Sequence, residues 1–111
     1  MMYISIVMDD LLYQTFLFDF YGELLTAHQR EVYEDYLCND LSESEIAKEA
    51  GISRQAAHDM IKRCQKSLKE YEDKLHLVER FLNIKNRISE IKEISDDPEI
   101  GKIVDQIIEE L

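Results

Sequence analysis

Two short amphipathic segments joined by a glycine, within Ser42–Leu68, constrain the fold of this chain more than any other feature. Ser42 is followed three residues later by Glu45, which is the spacing of a helix capping box. Gly51 stands where the first helix must end, because glycine enters the left-handed conformation of a helix C-terminus without a Cβ clash. Ser53 then offers a second N-cap. The stretch is therefore predicted to be a helix-turn-helix.

The helix that follows Ser53 has an apolar side and a polar, cationic side. Its apolar positions recur at helical spacing and are expected to face inward: Ala57, Met60 or Ile61, Cys64 and Leu68. The opposite side, mostly in its N-terminal half, is where a recognition helix carries the side chains that enter the DNA major groove. The candidate DNA-binding residues are Ser53, Arg54, Gln55, His58, Lys62, Arg63 and Lys66. Arg54 and Gln55 carry most weight, because these side chains read guanine and adenine edges bidentately.

The overall charge of the chain opposes a nucleic-acid partner. The sequence has 24 acidic residues against 13 Lys and Arg, a formal net charge of −11, whereas DNA affinity depends largely on cations that contact phosphates. The charge is unevenly distributed, since residues 53–70 hold five basic and two acidic residues. A cationic helix edge on an acidic body is compatible with duplex DNA, and an acidic body equally suits a protein that docks on a basic partner.

The same stretch resembles known bacterial families. The run LLTAHQREVYEDYLCNDLSESEIAKEAGISRQAAHDMIKR is similar to region four of bacterial sigma factors in LT…QREV, in LSESEIAKEAGISR and in the basic end of the helix. More closely, from about Leu12 to Leu75, FDFYGELLT, ISRQAAHDMIKR and LKEYEDKL resemble the YlxM family of small bacterial proteins. Genes of that family typically neighbour those of the signal recognition particle GTPases. The resemblance implies a regulatory or accessory role in that pathway, with the GTPase or its RNA complex as partner.

The chain on the N-terminal side of this motif is also predicted to be helical. Only three glycines and one proline interrupt its 111 residues, and strand-like alternation is confined to Tyr3–Val7. An amphipathic helix is expected from Met8 to about Gly22, on the stripe Leu12, Phe16 and Phe20, widened by Leu11, Leu17 and Tyr21. A second helix should begin at a Thr26–Gln29 capping box and bury Val32, Tyr33, Tyr36 and Leu37. The predicted fold class is all-α, a sigma region-four-like helix-turn-helix with a C-terminal helical extension, forming a single domain (1–111) with a helical unit at 8–70.

The C-terminal helices, residues 75–111, carry apolar stripes that need a partner surface. From Leu77 the apolar positions are spaced 4, 3, 4, 3, which is a short heptad seam, and Asp97 with Pro98 begins a last amphipathic helix. Because helix-turn-helix proteins commonly pair to match two half-sites, a homodimer is predicted, with an intramolecular bundle as the alternative. The candidate interface residues are Leu77, Phe81, Ile84, Ile88, Ile91, Ile103 and Ile107.

No pattern typical of an active site is found, and the chain is predicted not to be an enzyme. It has no Gly-rich phosphate loop, and His28, His58 and His76 lack a metal-like spacing with Cys38 or Cys64. Glu43, Glu45 and Glu49 on the helix before Gly51 are expected to form a solvated face and not an acid–base pair. No catalytic, metal-ligating or cofactor-binding residue is therefore assigned.

No targeting or membrane segment is expected from the sequence. No run approaches the roughly 20 apolar residues of a membrane span, and the start lacks the basic region of a signal peptide. Two cysteines do not make a disulfide framework. A cytoplasmic protein with free thiols and no membrane insertion is expected.

Overall fold

A computed structural model describes residues 10–111, and every regular element in that range is helical. The elements are α1 (Asp10–Tyr21), a 3-10 turn (Gly22–Leu24), α2 (Ala27–Leu37), α3 (Glu43–Ala50), α4 (Arg54–Leu75), α5 (Leu77–Ile94) and α6 (Pro98–Glu110). The predicted all-α class, a helix-turn-helix with a C-terminal helical extension, is confirmed over this range. The strand-like stretch Tyr3–Val7 and the helix start at Met8 lie outside the described residues.

The chain divides into two compact units, one ending at His76 and the other comprising Leu77–Leu111. The first unit contains α1 to α4, and the second is a hairpin of α5 and α6. The predicted helical unit stopped at residue 70, but α4 continues to Leu75 and ends where His76 takes a left-handed conformation with φ 56°. The grouping of all residues into a single domain stays a prediction.

Side-chain caps define where the helices begin, as their sequences predicted. The Thr26 hydroxyl accepts from the Gln29 backbone N–H, and the Gln29 side chain accepts from the Thr26 N–H, both at 3.2 Å. Ser42 and Glu45 form the same reciprocal pair at 3.1 and 3.3 Å. Asp97 accepts from Glu99 N–H at 2.9 Å, with Pro98 in the first turn of α6. These bonds satisfy backbone donors that a helix N-terminus leaves without partners.

Helix α4 is the central element of the first unit, because it contacts α1, α2 and α3. Its inward face consists of Ala57, Ile61, Cys64 and Leu68, none more than 1% exposed. Of the two alternatives at the second position, Ile61 is the buried one and Met60 is only half-buried. The predicted buried face of this helix is therefore confirmed, and the opposite face is available to a ligand.

Some predicted core positions on α1 and α2 were wrong. On α1 the buried residues are Leu17 and Tyr21, whereas Leu12 of the principal stripe is 47% exposed and Leu11 is 65% exposed. Apolar residues surround most of α1, so its sequence offers several stripes, and packing selects one of them. On α2, Val32 and Tyr33 occupy the inner face. Tyr36 is left at the edge with 36% exposure, its ring 6.0 Å from that of Tyr33.

Two buried tyrosines connect α1 to the rest of the first unit. The Tyr21 hydroxyl donates to Oε1 of Glu72 at 2.5 Å. Glu72 is a charged residue buried in the core of the described range, with 4% exposure. The Tyr33 hydroxyl donates to Oε1 of Gln14 at 3.2 Å. Burial raises the pKa of Tyr33 to about 12, so this hydroxyl stays protonated and can act as a donor. These bonds fix α1 against both α2 and α4.

The bond between Tyr21 and Glu72 predicts a specific loss of stability. Tyr21→Phe should lower the free energy of unfolding by about 1–3 kcal/mol, because a buried carboxylate loses a hydroxyl donor. Tyr36→Phe is the matched control, since Tyr36 is exposed and its hydroxyl has no hydrogen bond within residues 10–111. Urea unfolding followed by circular dichroism measures both variants. Equal stability of the two variants would contradict the assignment.

Candidate nucleic-acid interface

A left-handed turn at Gly51 determines where α4 points. Gly51 has φ 69° and ψ 33°, and its N–H donates to the Ala47 carbonyl. The Ile52 N–H donates to the same carbonyl at 3.0 Å, which completes the C-terminal motif of α3. Helix α4 then begins at once, because the Ser53 hydroxyl accepts from the Ala56 N–H at 3.0 Å. The predicted helix-turn-helix is therefore present, with α3 as its first helix and α4 as its second.

Four cationic side chains of α4 lie exposed between positions 54 and 66. They form no ion pair within residues 10–111, and they are Arg54, Lys62, Arg63 and Lys66. By contrast, Lys69 further along α4 lies 2.6 Å from Asp73, and this hydrogen bond raises the pKa of Lys69. Positions 54–66 of α4 thus expose four cations without an ion pair, and Asp59 is the one acidic residue within that stretch.

Two of the candidate reading residues are already held by acidic side chains. The Gln55 amide donates to Oδ1 of Asp59 at 3.0 Å. Nδ1 of His58 lies 2.6 Å from Oε2 of Glu43 on α3, and the two side chains are only 42% and 26% exposed. The expectation that Glu43 belongs to a solvated helix face was wrong, because this carboxylate is half-buried against α4. This pair connects the start of α3 to the first turns of α4.

This pair, together with Arg54 and Gln55, lines a groove at the N-terminal end of α4. Its volume is ≈ 510 Å³, and its lining residues are Glu43, Arg54, Gln55 and His58. Sequence reasoning missed Glu43 because its contact crosses from one helix to another, and helical spacing reports only neighbours on the same helix. The sequence feature that could have indicated Glu43 is its place at the first position of α3, directly after the N-cap Ser42. The groove combines a cation, an amide and a carboxylate, which are the side-chain types that read base edges.

A second, smaller groove lies between α2 and α3 and differs in charge. Its volume is ≈ 240 Å³, and it is lined by His28, Glu31, Val32, Asp35, Ile46, Glu49 and Ala50. It shares no lining residue with the groove at the start of α4. Its polar lining contains three carboxylates and no Lys or Arg, so an anionic nucleic acid is not its natural occupant.

The two cysteines do not form nucleophilic sites. Burial raises the pKa of Cys64 to about 11, and its Sγ lies 3.8 Å from the Gln29 carbonyl oxygen. Cys38 is exposed, but its pKa is also raised, first by partial burial and then by the nearby carboxylates of Glu34 and Asp19. Because the thiolate is the reactive species, both side chains are poor nucleophiles at neutral pH. Cys64 serves as a small apolar residue of the core, as its spacing predicted.

The geometry therefore defines a helix-turn-helix protein, with a capped first helix, a left-handed turn and an amphipathic second helix. Residues 8–110 match the family described as "Putative helix-turn-helix protein, YlxM / p13 like". The chain belongs to this family, UPF0122, which confirms the resemblance seen in the sequence. Among the helices of residues 10–111, none is both long enough and apolar enough to cross a lipid bilayer.

Curated relatives from several bacteria support the same membership. A UPF0122 protein of Thermoanaerobacter sp. (strain X514) is 46% identical over 110 residues, covering 93% of this chain and 94% of the relative. One from Caldanaerobacter subterraneus subsp. tengcongensis is 48% identical over 85 residues, 77% of this chain and 73% of the relative. One from Bacillus thuringiensis is 42% identical over 95 residues, which cover 85% of this chain and 86% of the relative.

The turn between α3 and α4 can be tested by substitution at Gly51. No atom lies within 4 Å of the position that a Cβ would take at this glycine, so the expected cost is that of the backbone conformation alone. Gly51→Ala should lower the free energy of unfolding by about 1–2 kcal/mol, because the left-handed region disfavours a Cβ. Gly51→Asn should cost less, since asparagine enters this region more readily. Urea unfolding measures both variants, and an alanine variant as stable as the parent would refute the conformation.

Proposed function

We propose that this chain is a non-enzymatic regulatory protein that binds duplex DNA through α4. The candidate contacts remain Ser53, Arg54, Gln55, His58, Lys62, Arg63 and Lys66. The observation that carries the proposal is the set of exposed cations between Arg54 and Lys66 of α4 that form no ion pair within residues 10–111. A recognition helix inserts its N-terminal part into the major groove, where lysine and arginine neutralise phosphates and arginine also reads guanine.

The seven candidates divide into two roles in this proposal. Lys62, Arg63 and Lys66 are further along the helix and serve as phosphate contacts, which position a protein on the duplex without reading sequence. Arg54 lines the groove at the start of the helix and is assigned to base reading. Gln55 and His58 must share or exchange their bonds to Asp59 and Glu43 when DNA binds. Their contribution to sequence preference is therefore smaller than their residue types suggest.

The acidic body limits how DNA is bound. With a net charge of −11, most of the surface repels phosphates, so the attraction is confined to the face of α4 and is screened over about 8 Å at physiological ionic strength. Weak binding to non-specific DNA and a marked dependence on salt follow from this distribution.

The hairpin of α5 and α6 carries the candidate surface for a homodimer. Its exposed apolar side chains include Leu77, Ile84, Ile91, Ile103 and Ile107, each between 38% and 56% exposed. Ile88 is only 4% exposed and offers little area to a second copy, although its spacing placed it in the same seam. A two-fold pairing through the remaining residues buries apolar area that is otherwise in contact with water. A dimer also contains two copies of α4, the number that paired half-sites require.

A role in the signal recognition particle pathway is the regulatory context that the family resemblance suggests. A second candidate function in that context is an adaptor that docks its acidic surface on a particle component, without binding DNA. The acidic groove between α2 and α3 favours this alternative, because three carboxylates and no lysine or arginine line it. Recovery of the particle's GTPase or its RNA complex by the immobilised protein at low salt would support the adaptor, and no recovery would count against it.

Removal of two phosphate-contacting cations tests DNA binding. Lys62→Ala/Arg63→Ala should weaken binding to a labelled duplex from the promoter of its own gene about tenfold or more at low salt. The plot of log affinity against log salt concentration should become shallower by about 0.9 per lost phosphate contact. Fluorescence anisotropy over a salt series measures both quantities.

Lys69→Ala is the control for this measurement, because it removes one positive charge from the same helix at a position already paired with Asp73. It should change affinity and salt slope much less than the double variant. If the parent protein does not retard the duplex at low salt, or if the control weakens binding as much, DNA recognition through α4 is excluded.

Charge placed on the apolar hairpin surface tests the homodimer. Ile84→Glu/Ile103→Glu should weaken self-association at least about tenfold, because two ionised carboxylates would be buried at the interface. Ile94→Glu is the control, since Ile94 is 85% exposed and outside the predicted seam. Sedimentation equilibrium gives the dissociation constants. A parent protein that remains monomeric at its solubility limit would contradict the proposed pairing.

A further inference from the structure

We propose that the groove between α2 and α3 is a docking site for an arginine-bearing segment of a partner protein. The site is distinct from the DNA face at the start of α4, with which it shares no lining residue. If the groove does not bind such a segment, the proposed DNA binding through α4 is unaffected. The shape and charge of the groove alone support this assignment.

The groove is formed by two facing helical stripes with an apolar floor. Helix α2 contributes residues at positions 28, 31, 32 and 35, and α3 contributes residues at 46, 49 and 50. These spacings place each set on one side of its helix. Val32 and Ile46 are 2% and 1% exposed and form the floor, with Ala50 half-buried beside them. The small side chain of Ala50 leaves open the end of the groove nearest to the C-terminus of α3.

The polar part of the groove contains three carboxylates and the imidazole of His28, with no lysine or arginine. Glu31 and Glu49 are exposed, Asp35 is half-buried, and none of the three forms an ion pair within the described range 10–111. Oδ1 of Asp35 accepts from the Asn39 amide at 2.9 Å, which fixes this carboxylate and leaves its second oxygen to a ligand. Glu31 and Asp35 are one helical turn apart on α2, and Glu49 faces them from α3.

These features fit a long cationic side chain better than other occupants. The volume of ≈ 240 Å³ is below the roughly 300 Å³ at which small-molecule pockets begin. An arginine or lysine can lay its methylene groups on an apolar floor and keep its charged end among carboxylates. Arginine is favoured, because its planar guanidinium donates to two carboxylates at once and is more weakly hydrated than an ammonium.

The occupant is assigned to a partner protein rather than to nucleic acid or a second copy of this chain. Three carboxylates repel phosphates, which excludes a nucleic-acid backbone as the ligand. A second copy is assigned to the hairpin of α5 and α6 in the proposed homodimer, and its exposed Arg54 and Arg63 are assigned to DNA, so neither feature is left for this groove. A basic surface that carries arginine is attracted, and not repelled, by the carboxylates of the groove.

The test uses a fluorescein-labelled helical peptide with three arginines on one face, and matched peptides with lysine or glutamine at those positions. Glu31→Gln/Glu49→Gln should weaken binding of the arginine peptide by about tenfold in fluorescence anisotropy, because two charge-assisted contacts lose their charge. Ala50→Leu keeps the charge but fills the end of the groove, and it should also weaken binding. The expected order of affinity is arginine, then lysine, with no binding of the glutamine peptide.

Glu23→Gln/Glu70→Gln is the matched control, because it removes the same charge at two exposed positions outside the groove. It should leave peptide affinity within about twofold, as expected for surface charges that make no direct contact with the peptide. Equal weakening by both glutamine pairs, or full binding by Ala50→Leu, would show diffuse attraction and overturn the proposal. A change of oligomeric state in Glu31→Gln/Glu49→Gln alone would assign the groove to a second copy and overturn the proposed occupant.

DNA affinity of the same variants separates the two proposals. Both glutamine pairs remove two negative charges, so each should change the affinity for duplex DNA only by a small factor and in the same direction. A loss of peptide binding with DNA binding retained supports the groove independently of the DNA face. Circular dichroism of each variant verifies that α-helical content is unchanged.

Discussion

The left-handed backbone at Gly51 is the constraint on which the rest of the functional surface depends. Two helices that each bury one face must change direction within three residues, and the turn is possible because Gly51 adopts φ 69° without a side chain. The Ala47 carbonyl accepts from two successive N–H groups, which ends α3, and the Ser53 hydroxyl starts α4 immediately afterwards. The direction of α4, and therefore of its cations, follows from these few bonds.

Helix α4 combines a structural role with the proposed recognition role because its two faces differ. Its inner face, from Ala57 to Leu68, is the surface on which α1, α2 and α3 pack. Its exposed side carries Arg54, Lys62, Arg63 and Lys66, which form no ion pair within residues 10–111. Charge distribution, and not net charge, is therefore the basis of the proposed DNA binding.

The sequence predicted what depends on neighbours along one helix. The capping boxes at Thr26 and Ser42, the stop at Gly51 and the inward face of α4 were all readable, since each involves residues at most four positions apart. Contacts between helices were not readable. The pairing of Glu43 with His58 and that of Tyr21 with Glu72 join residues 15 and 51 positions apart. Helix α1 was placed correctly but its buried stripe was not, because its apolar residues do not favour one face.

Chemical-shift mapping with ¹⁵N-labelled protein and a duplex from its own promoter at low salt tests DNA binding through α4 most directly. Shifts are predicted in the amides of Ser53 to Lys66 and in the first turn of α3, with all of them reversed by added salt. The amides of Glu31, Asp35 and Glu49 should not shift. Shifts centred on α2, or no shifts at α4 under conditions of low salt, would contradict the claim that this helix is the nucleic-acid-binding face.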